Sequence, residues 1–178
     1  MTRDLAIFET AIGPCAIAWT EQGICGSQLP ERDAAATRAR LRQRFPQLLE
    51  VSPPPEVAAA ITKVQALLRG ERVDLSTVRL DMTGVPEFEQ RIYALARQLQ
   101  PGQTTTYGEL ARQAGEPGAA RAVGRAMGSN RFAPIVPCHR VLAANGAMGG
   151  FSARGGVHTK LQMLAIERAA PNGQPSLF

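Results

Sequence analysis

The chain has 178 residues, 44% of them apolar, with 20 Lys and Arg against 15 Asp and Glu; this is the make-up of one large or two small globular domains and excludes a disordered tail protein. Aliphatic runs such as residues 57–61 fall far short of the roughly 20 residues that cross a bilayer, and residues 1–13 lack a signal-peptide core, so a soluble cytoplasmic protein without membrane contact is expected. The whole excess of +5 lies in residues 82–178, which carry 10 basic and 5 acidic side chains against 10 and 10 in residues 1–81.

In chain order, residues 4–28 place aliphatic runs around Ile12-Gly13-Pro14 and close at Gln22-Gly23, which reads as a β-hairpin or meander. Residues 31–45 are rich in Ala and Arg without internal Gly or Pro and predict a helix stopped by Pro46. A second helix starts at Pro53 to Pro55 and runs to Arg69, closed by Gly70. A short strand is expected near residues 78–82. Strands with a few helices make residues 1–82 a small α/β domain, with a linker near residues 83–86. Nothing in it announces catalysis.

The second half reads as mainly helical. Residues 86–100 place Phe88, Ile92, Leu95, Ala96 and Leu99 on one face, and Pro101-Gly102 stops the helix. Thr106 with Glu109 three residues on has capping-box spacing, predicting a helix over 107–114 that ends at Gly115. Another follows Pro117, over residues 118–127. Two short helices joined by Gly115-Glu116-Pro117 form a helix-turn-helix pattern, which a core helical hairpin would share. Between Tyr107 and Arg154 stand six Arg against two Glu, a field that attracts a polyanion such as nucleic acid and that an ordinary solvated surface would share.

Three cysteines, Cys15, Cys25 and Cys138, are an odd and sparse set that points to free thiols rather than a disulfide framework. One of them has a chemical context. Pro134-Ile135-Val136-Pro137-Cys138-His139-Arg140-Val141 predicts a stiff extended segment presenting a cysteine and a histidine at a fixed place. An imidazole that takes the thiol proton raises the thiolate available for attack, so Cys138 is the candidate nucleophile; a buried inert Cys is the competing reading. With His139 and His158 as the only histidines and no close cysteine pair, no zinc spacing is present, and no metal or cofactor is expected.

These residues resemble the O6-alkylguanine-DNA alkyltransferases, repair proteins that move an alkyl group from DNA onto their own cysteine. The similarity runs in order through Tyr107-Gly108-Glu109-Leu110-Ala111, Ala119-Ala120-Arg121-Ala122-Val123-Gly124, Met127, Asn130, Pro137 to Val141, Gly146-Ala147, Gly149, Ser152, Leu164 and Glu167, over residues 86–168. The first 80 residues match only loosely, through the Ile12-Gly13-Pro14 and Gly23-Ile24-Cys25-Gly26 turns. The resemblance implies an α+β chain with a ribonuclease H-like N-terminal domain over 1–82, a DNA-binding and alkyl-transfer domain with a winged helix-turn-helix over 83–170, and a flexible tail over 171–178.

It also implies a role at each matched position. Cys138, ionised and facing a pocket, attacks the alkyl carbon. His139 deprotonates it through a water, Glu167 orients the imidazole from a helix starting near Thr159, and Asn130 ties the helix-turn-helix to the active-site strand, where a helix C-cap is the competing reading. Tyr107 hydrogen-bonds the flipped guanine and offers it a proton. The carbonyls of Cys138 and Val141 and the amide of Ser152 read the base, Met127 packs on the ring, and Phe151 lines the pocket. Arg121 fills the space the base leaves, on a helix whose Ala120, Ala122 and Gly124 allow close approach to a minor groove about 6 Å wide, with Arg125 adding charge. The implied partner is double-stranded DNA containing O6-alkylguanine, bound by a protein that is monomeric without DNA.

Departures from the family pattern put alkyl-group preference in doubt: Tyr93 stands where Trp is common, Phe151 where some members have Tyr, and the segment from Ser152 to Glu167 is longer by about two residues. The zinc of some relatives is not expected, since no His lies in residues 1–138. Three rivals differ in class. A non-catalytic lesion binder on the same fold would lack the cysteine. A winged-helix regulator would read the major groove and dimerise. A cysteine hydrolase using Cys138, His139 and Glu167 would turn over repeatedly.

Overall fold

The computed structural model describes residues 3–144 and 156–169. The chain divides into two compact units, Met1–Thr83 with Arg131–Ile135, and Gly84–Asn130 with Val136–Phe178. The return of Arg131–Ile135 to the first unit is invisible in a linear reading of composition.

In the first unit, β1 (Asp4–Thr10), β2 (Gly13–Thr20) and β3 (Gly23–Gln28) form an antiparallel meander, with β4 (Leu49–Glu50) added parallel to β1, in the order β3-β2-β1-β4. Both connections are two residues long, and each returning strand opens on a glycine at positive φ, Gly13 at 122° and Gly23 at 137°, where a Cβ would be strained. Helix α1 (Ala34–Arg44) is capped by Asp33, whose carboxylate accepts from the Ala36 amide. Its Leu41, with Phe45 and Leu48, packs on Leu5, Ala16, Ala18 and Cys25. A side chain at Gly26 would run into the Phe45 ring, so that glycine is set by close approach rather than by a turn. Helix α2 (Pro55–Leu68) starts on proline, and Gly70 at φ 94° ends it. The strand expected over 78–82 is reduced to a single parallel bridge, Leu80 to Ile24, because Asp81 turns away to accept from Thr20 Oγ1 at 2.7 Å and from the Thr83 amide at 2.9 Å.

The second unit holds α3 (Glu87–Ala96), β5 (Thr105–Thr106), α4 (Tyr107–Gln113), α5 (Ala120–Gly128), β6 (Val141–Leu142) and α6 (Val157–Ile166). Thr106 accepts from the Glu109 amide at 3.1 Å, but the Glu109 carboxylate turns outward to Arg112 and Gln113, so only half of the expected capping box forms. Helix α4 ends in a Schellman turn: Gly115 at φ 80° donates to Arg112 O and Glu116 to Ala111 O. The turn redirects the chain into α5, whose Val123, Ala126 and Met127 are buried. Tyr93, at 1% exposure, donates its hydroxyl to Ala126 O at 2.7 Å and fastens the last turn of α5 to α3.

Candidate active site

The extended segment expected over residues 134–141 is interrupted. Cys138–Arg140 form a 3₁₀ turn, with Arg140 N donating to Pro137 O, and only then does the chain enter β6. Proline at 137 supplies a restricted φ and needs no amide partner, so the turn begins there and gathers Cys138, His139 and Arg140, all buried, in one bend. Parallel pairing of β5 with β6, Thr105 to Val141 and Thr106 to Leu142, brings Tyr107 to the same place from 31 positions earlier in the chain.

Glu167 is the residue on which α6 ends. Arg168 adopts φ 60°, Arg168 N donates to Ala165 O and Ala169 N to Leu164 O, while Leu142, Leu164 and Ala169 pack together. This is a Schellman turn with its apolar contact, closed by an arginine where α2 and α4 use glycine. It leaves the Glu167 carboxylate 2.7 Å from His139 Nε2 and in a forked pair with Arg140, at 2.7 and 2.9 Å. Burial pushes the Glu167 carboxyl up, but His139 and Arg140 outweigh it and hold it at about 2. Burial, joined by the charges of Arg140 and Lys160, lowers the His139 imidazole against the pull of Glu167. His139 Nδ1 is buried and has no hydrogen-bond partner among the described residues.

Cys138 is 5% exposed, and burial pushes its thiol up against the opposing pull of the Asn130 side chain, Lys160 and nearby backbone amides. The resting group is a thiol, and its thiolate has to be generated by moving the proton. Asn130, 5% exposed, donates from Nδ2 to Val136 O at 2.9 Å, while α5 takes Ser129 as its C-cap. The other two cysteines lie buried in the first unit, with thiols pushed up by burial to about 12 for Cys15 and about 11 for Cys25.

Lys160 belongs to none of the sequence motifs but stands in the site. At 1% exposure its ammonium donates to Val141 O at 2.7 Å and stands 5.9 Å from the Tyr107 ring centre. A signal for it exists: it shares a helix face with Met163, Leu164 and Glu167, and a lysine on a buried face is rarely there for packing. Gly102 is a second omission, donating its amide to Glu167 Oε2 at 3.4 Å from a turn legible only as a helix stop. Tyr107 is half-buried; burial and the facing Cys138 both raise its hydroxyl.

On α5, Arg121 and Arg125 are exposed one turn apart, and neither is ion-paired among the described residues. Ala120 and Ala122 are partly exposed on the same helix. Gly124 faces the Tyr107 ring, which would lie 3.9 Å from a Cβ there. Met127 is buried, and the Val141 carbonyl already accepts Lys160, leaving one lone pair for a base. Phe151, Ser152 and the tail over 171–178 lie outside the described residues. A cavity of about 720 Å³ in the first unit, lined by Trp19, Glu56, Lys63 and Arg79 among others, contains none of the expected site residues. Among the described residues, no helix is long and apolar enough to cross a membrane, and no group of three His, Cys, Asp or Glu is placed to hold a metal ion.

The family model for the DNA binding domain of 6-O-methylguanine DNA methyltransferase matches residues 87–169. The methylated-DNA–protein-cysteine methyltransferase of Mycolicibacterium paratuberculosis is 40% identical over 125 residues, 70% of this chain and 73% of that protein. The bifunctional transcriptional activator/DNA repair enzyme Ada of Escherichia coli is 34% identical over 162 residues, 91% of this chain and 44% of Ada. Among solved structures, Mycobacterium tuberculosis OGT in complex with DNA aligns at 31% identity with a TM-score of 0.74, covering 94% of this chain and 96% of that one. The mixed α/β fold with a small sheet and six helices is therefore shared with solved relatives along nearly its full length, and the chain belongs to the methylated-DNA–protein-cysteine methyltransferase family.

Proposed function

We propose that this protein repairs DNA by direct reversal, transferring the alkyl group of O6-alkylguanine in a duplex irreversibly to its own Cys138, one group per molecule. The observation that carries the reading is a buried thiol followed in the same tight turn by a histidine whose Nε2 is held by Glu167 at 2.7 Å and whose Nδ1 has no partner among the described residues. That is a nucleophile, a base and an orienting group in one place.

The lesion is turned out of the stack, and Arg121 fills the space it leaves. The thiol proton passes through a water to His139 Nδ1 while the sulfur attacks the alkyl carbon. The S–C bond forms as the C–O6 bond breaks, and the electron pair withdraws into the purine. Tyr107 hands the base a proton, so the products are the S-alkylated protein and guanine. Asn130 and Lys160 favour the anionic sulfur during this step. The step draws on no cofactor. Arg121 and Arg125 on α5, with the small side chains at Ala120, Ala122 and Gly124, meet the minor groove, where phosphate contacts dominate and sequence matters little. Met127, Val141, Phe151 and Ser152 enclose the base.

In this reading residues 1–82 are a ribonuclease H-like supporting domain, and residues 83–170 carry DNA binding and chemistry, with α4, α5 and the β5–β6 pair as a winged helix-turn-helix. The protein works as a monomer in the cytoplasm until it meets DNA. The test is mass spectrometry after incubation with duplex O6-methylguanine. One methyl group is expected on the Cys138 peptide, with no second turnover; Cys138→Ala is expected to bind DNA and gain nothing. Methylation elsewhere, or repeated turnover, would refute the reading.

A further inference from the structure

Arg140 adjoins the two residues that carry the proposed chemistry, yet the reaction as written gives it nothing to do. Its side chain is buried and makes three bonds: Nε to Glu167 Oε2 at 2.9 Å, Nη2 to Glu167 Oε1 at 2.7 Å and Nη1 to Leu99 O at 2.7 Å. Among the described residues Glu167 therefore meets three fixed donors, two from Arg140 and one from Gly102, and a fourth nitrogen, His139 Nε2, whose role depends on the tautomer. His139 Nε2 and Arg140 Nη2 converge on Oε1, and Arg140 Nε and the Gly102 amide on Oε2. The charged, bidentate Arg140 fork favours the carboxylate, whose lone pairs can then accept from all four nitrogens. Facing an anion, His139 must hold its hydrogen on Nε2, and a neutral imidazole with Nε2–H keeps its lone pair on Nδ1. Nδ1 is the buried nitrogen without a partner among the described residues.

We propose that Arg140 is a positioning residue: its fork locks Glu167 as an acceptor and thereby selects the His139 tautomer whose Nδ1 can take the Cys138 proton. The inference deepens the alkyl-transfer reading and rests on it for the purpose of that proton transfer. A Glu–His pair without the guanidinium has one fewer reason to stay ionised. A buried carboxyl favours its neutral form, and a protonated Glu167 would donate to Nε2 and put the imidazole hydrogen on Nδ1, where it blocks transfer from sulfur. The charged groups acting on the His139 ring are Glu167 and Lys160 from α6 and its neighbour Arg140 in the turn; Tyr107 from α4 and Lys160 face Cys138. Lys160 repels a proton on the ring as Arg140 does, but its ammonium is committed to the Val141 carbonyl. The pair is also tied to the chain that follows α3, since Arg140 Nη1 donates to Leu99 O and the Gly102 amide to Glu167 Oε2.

The test is long-range proton–nitrogen NMR of the uniformly ¹⁵N-labelled full chain, with exposed His158 as the internal reference. The native protein is expected to show His139 at neutral pH with Nε2 protonated and Nδ1 in the range of an unprotonated ring nitrogen. In Arg140→Gln the Nδ1–H form is expected to appear, and methyl transfer to Cys138 to slow by roughly tenfold or more. The acid limb of rate against pH is expected to move up by about one unit, because loss of a nearby cation lets His139 keep a proton to higher pH. Arg140→Lys, which keeps the charge without the fork, is expected to fall between the two. Native His139 protonated on Nδ1 overturns the proposal. So do native ring shifts with an unmoved acid limb in Arg140→Gln, or in Arg140→Lys where the glutamine variant fails to fold. A native protein with Nε2-protonated His139 that transfers no methyl group overturns the alkyl-transfer reading instead and leaves the tautomer assignment standing.

Discussion

Burial acts in opposite directions on the sulfur and on the imidazole, raising one and lowering the other, so both are held neutral at rest. Moving a proton from Cys138 to His139 then creates two charges in a buried site. The site is furnished for both: Asn130 and Lys160 stand by the sulfur, and Glu167 stands by the ring. Burial lowers the Lys160 ammonium while Cys138 raises it, so the lysine and the thiolate support each other. Lys160→Met is therefore expected to push the Cys138 thiol still higher and to slow its alkylation by roughly tenfold near neutral pH, with the loss shrinking as pH rises. Iodoacetamide labelling of Cys138 across a pH series measures this, and an unchanged profile would remove the lysine from the electrostatics of the site. The methylene stem of Lys160 is kept in the variant, but the Val141 carbonyl loses a donor, at a cost of about 1–3 kcal/mol.

Among the elements, α6 has the strongest bearing on the site because its last turn sets where Glu167 stands. The helix is closed by Arg168 at φ 60°, a conformation that costs a residue with a Cβ about 1 kcal/mol and a glycine very little. Arg168→Gly is expected to raise stability by up to about 1 kcal/mol while leaving alkyl transfer unchanged, as read by urea unfolding and the Cys138 mass shift. A loss of stability would show that the arginine side chain contributes more than its backbone strain costs. The same element explains a limit of sequence reading. Gly70 and Gly115 announce the ends of α2 and α4, while nothing in Ile166-Glu167-Arg168 announces a stop, so the position of Glu167 at a helix terminus was not legible. The 3₁₀ turn at Cys138 was equally hidden, since proline followed by a polar triplet serves a strand or a turn alike.

At the scale of the whole chain, the buried Glu167, His139 and Arg140 tie acid stability to the site. Glu167 is held at about 2 in the folded protein against an ordinary 4.5, so its contribution is complete above about 4.5 and is lost as pH falls towards 2. His139 lies below its ordinary 6.5 when folded, so the unfolded chain binds that proton first, and stability declines as pH drops below 6.5. Both groups weaken the folded state in acid. The urea midpoint is expected to fall as pH drops below 6.5 and to keep falling below 4.5, and Glu167→Gln to flatten only the part of that fall below about 4.5; a native midpoint independent of pH would contradict both assignments.

The glycine turns of the meander and the helices around them were legible in the sequence, which also singled out Cys138 as the candidate nucleophile, because each depends on local backbone preference or on residues adjacent in the chain. The rest needed contacts between distant positions. Pairing of β5 with β6 carried Tyr107 to Cys138, a buried face of α6 delivered Lys160, and one carboxylate gathered His139, Arg140 and Gly102. Protonation belongs wholly to that second class: whether the sulfur rests as a thiol and which imidazole nitrogen is free are set by burial and by the count of donors on Glu167, and neither quantity exists until the chain has folded.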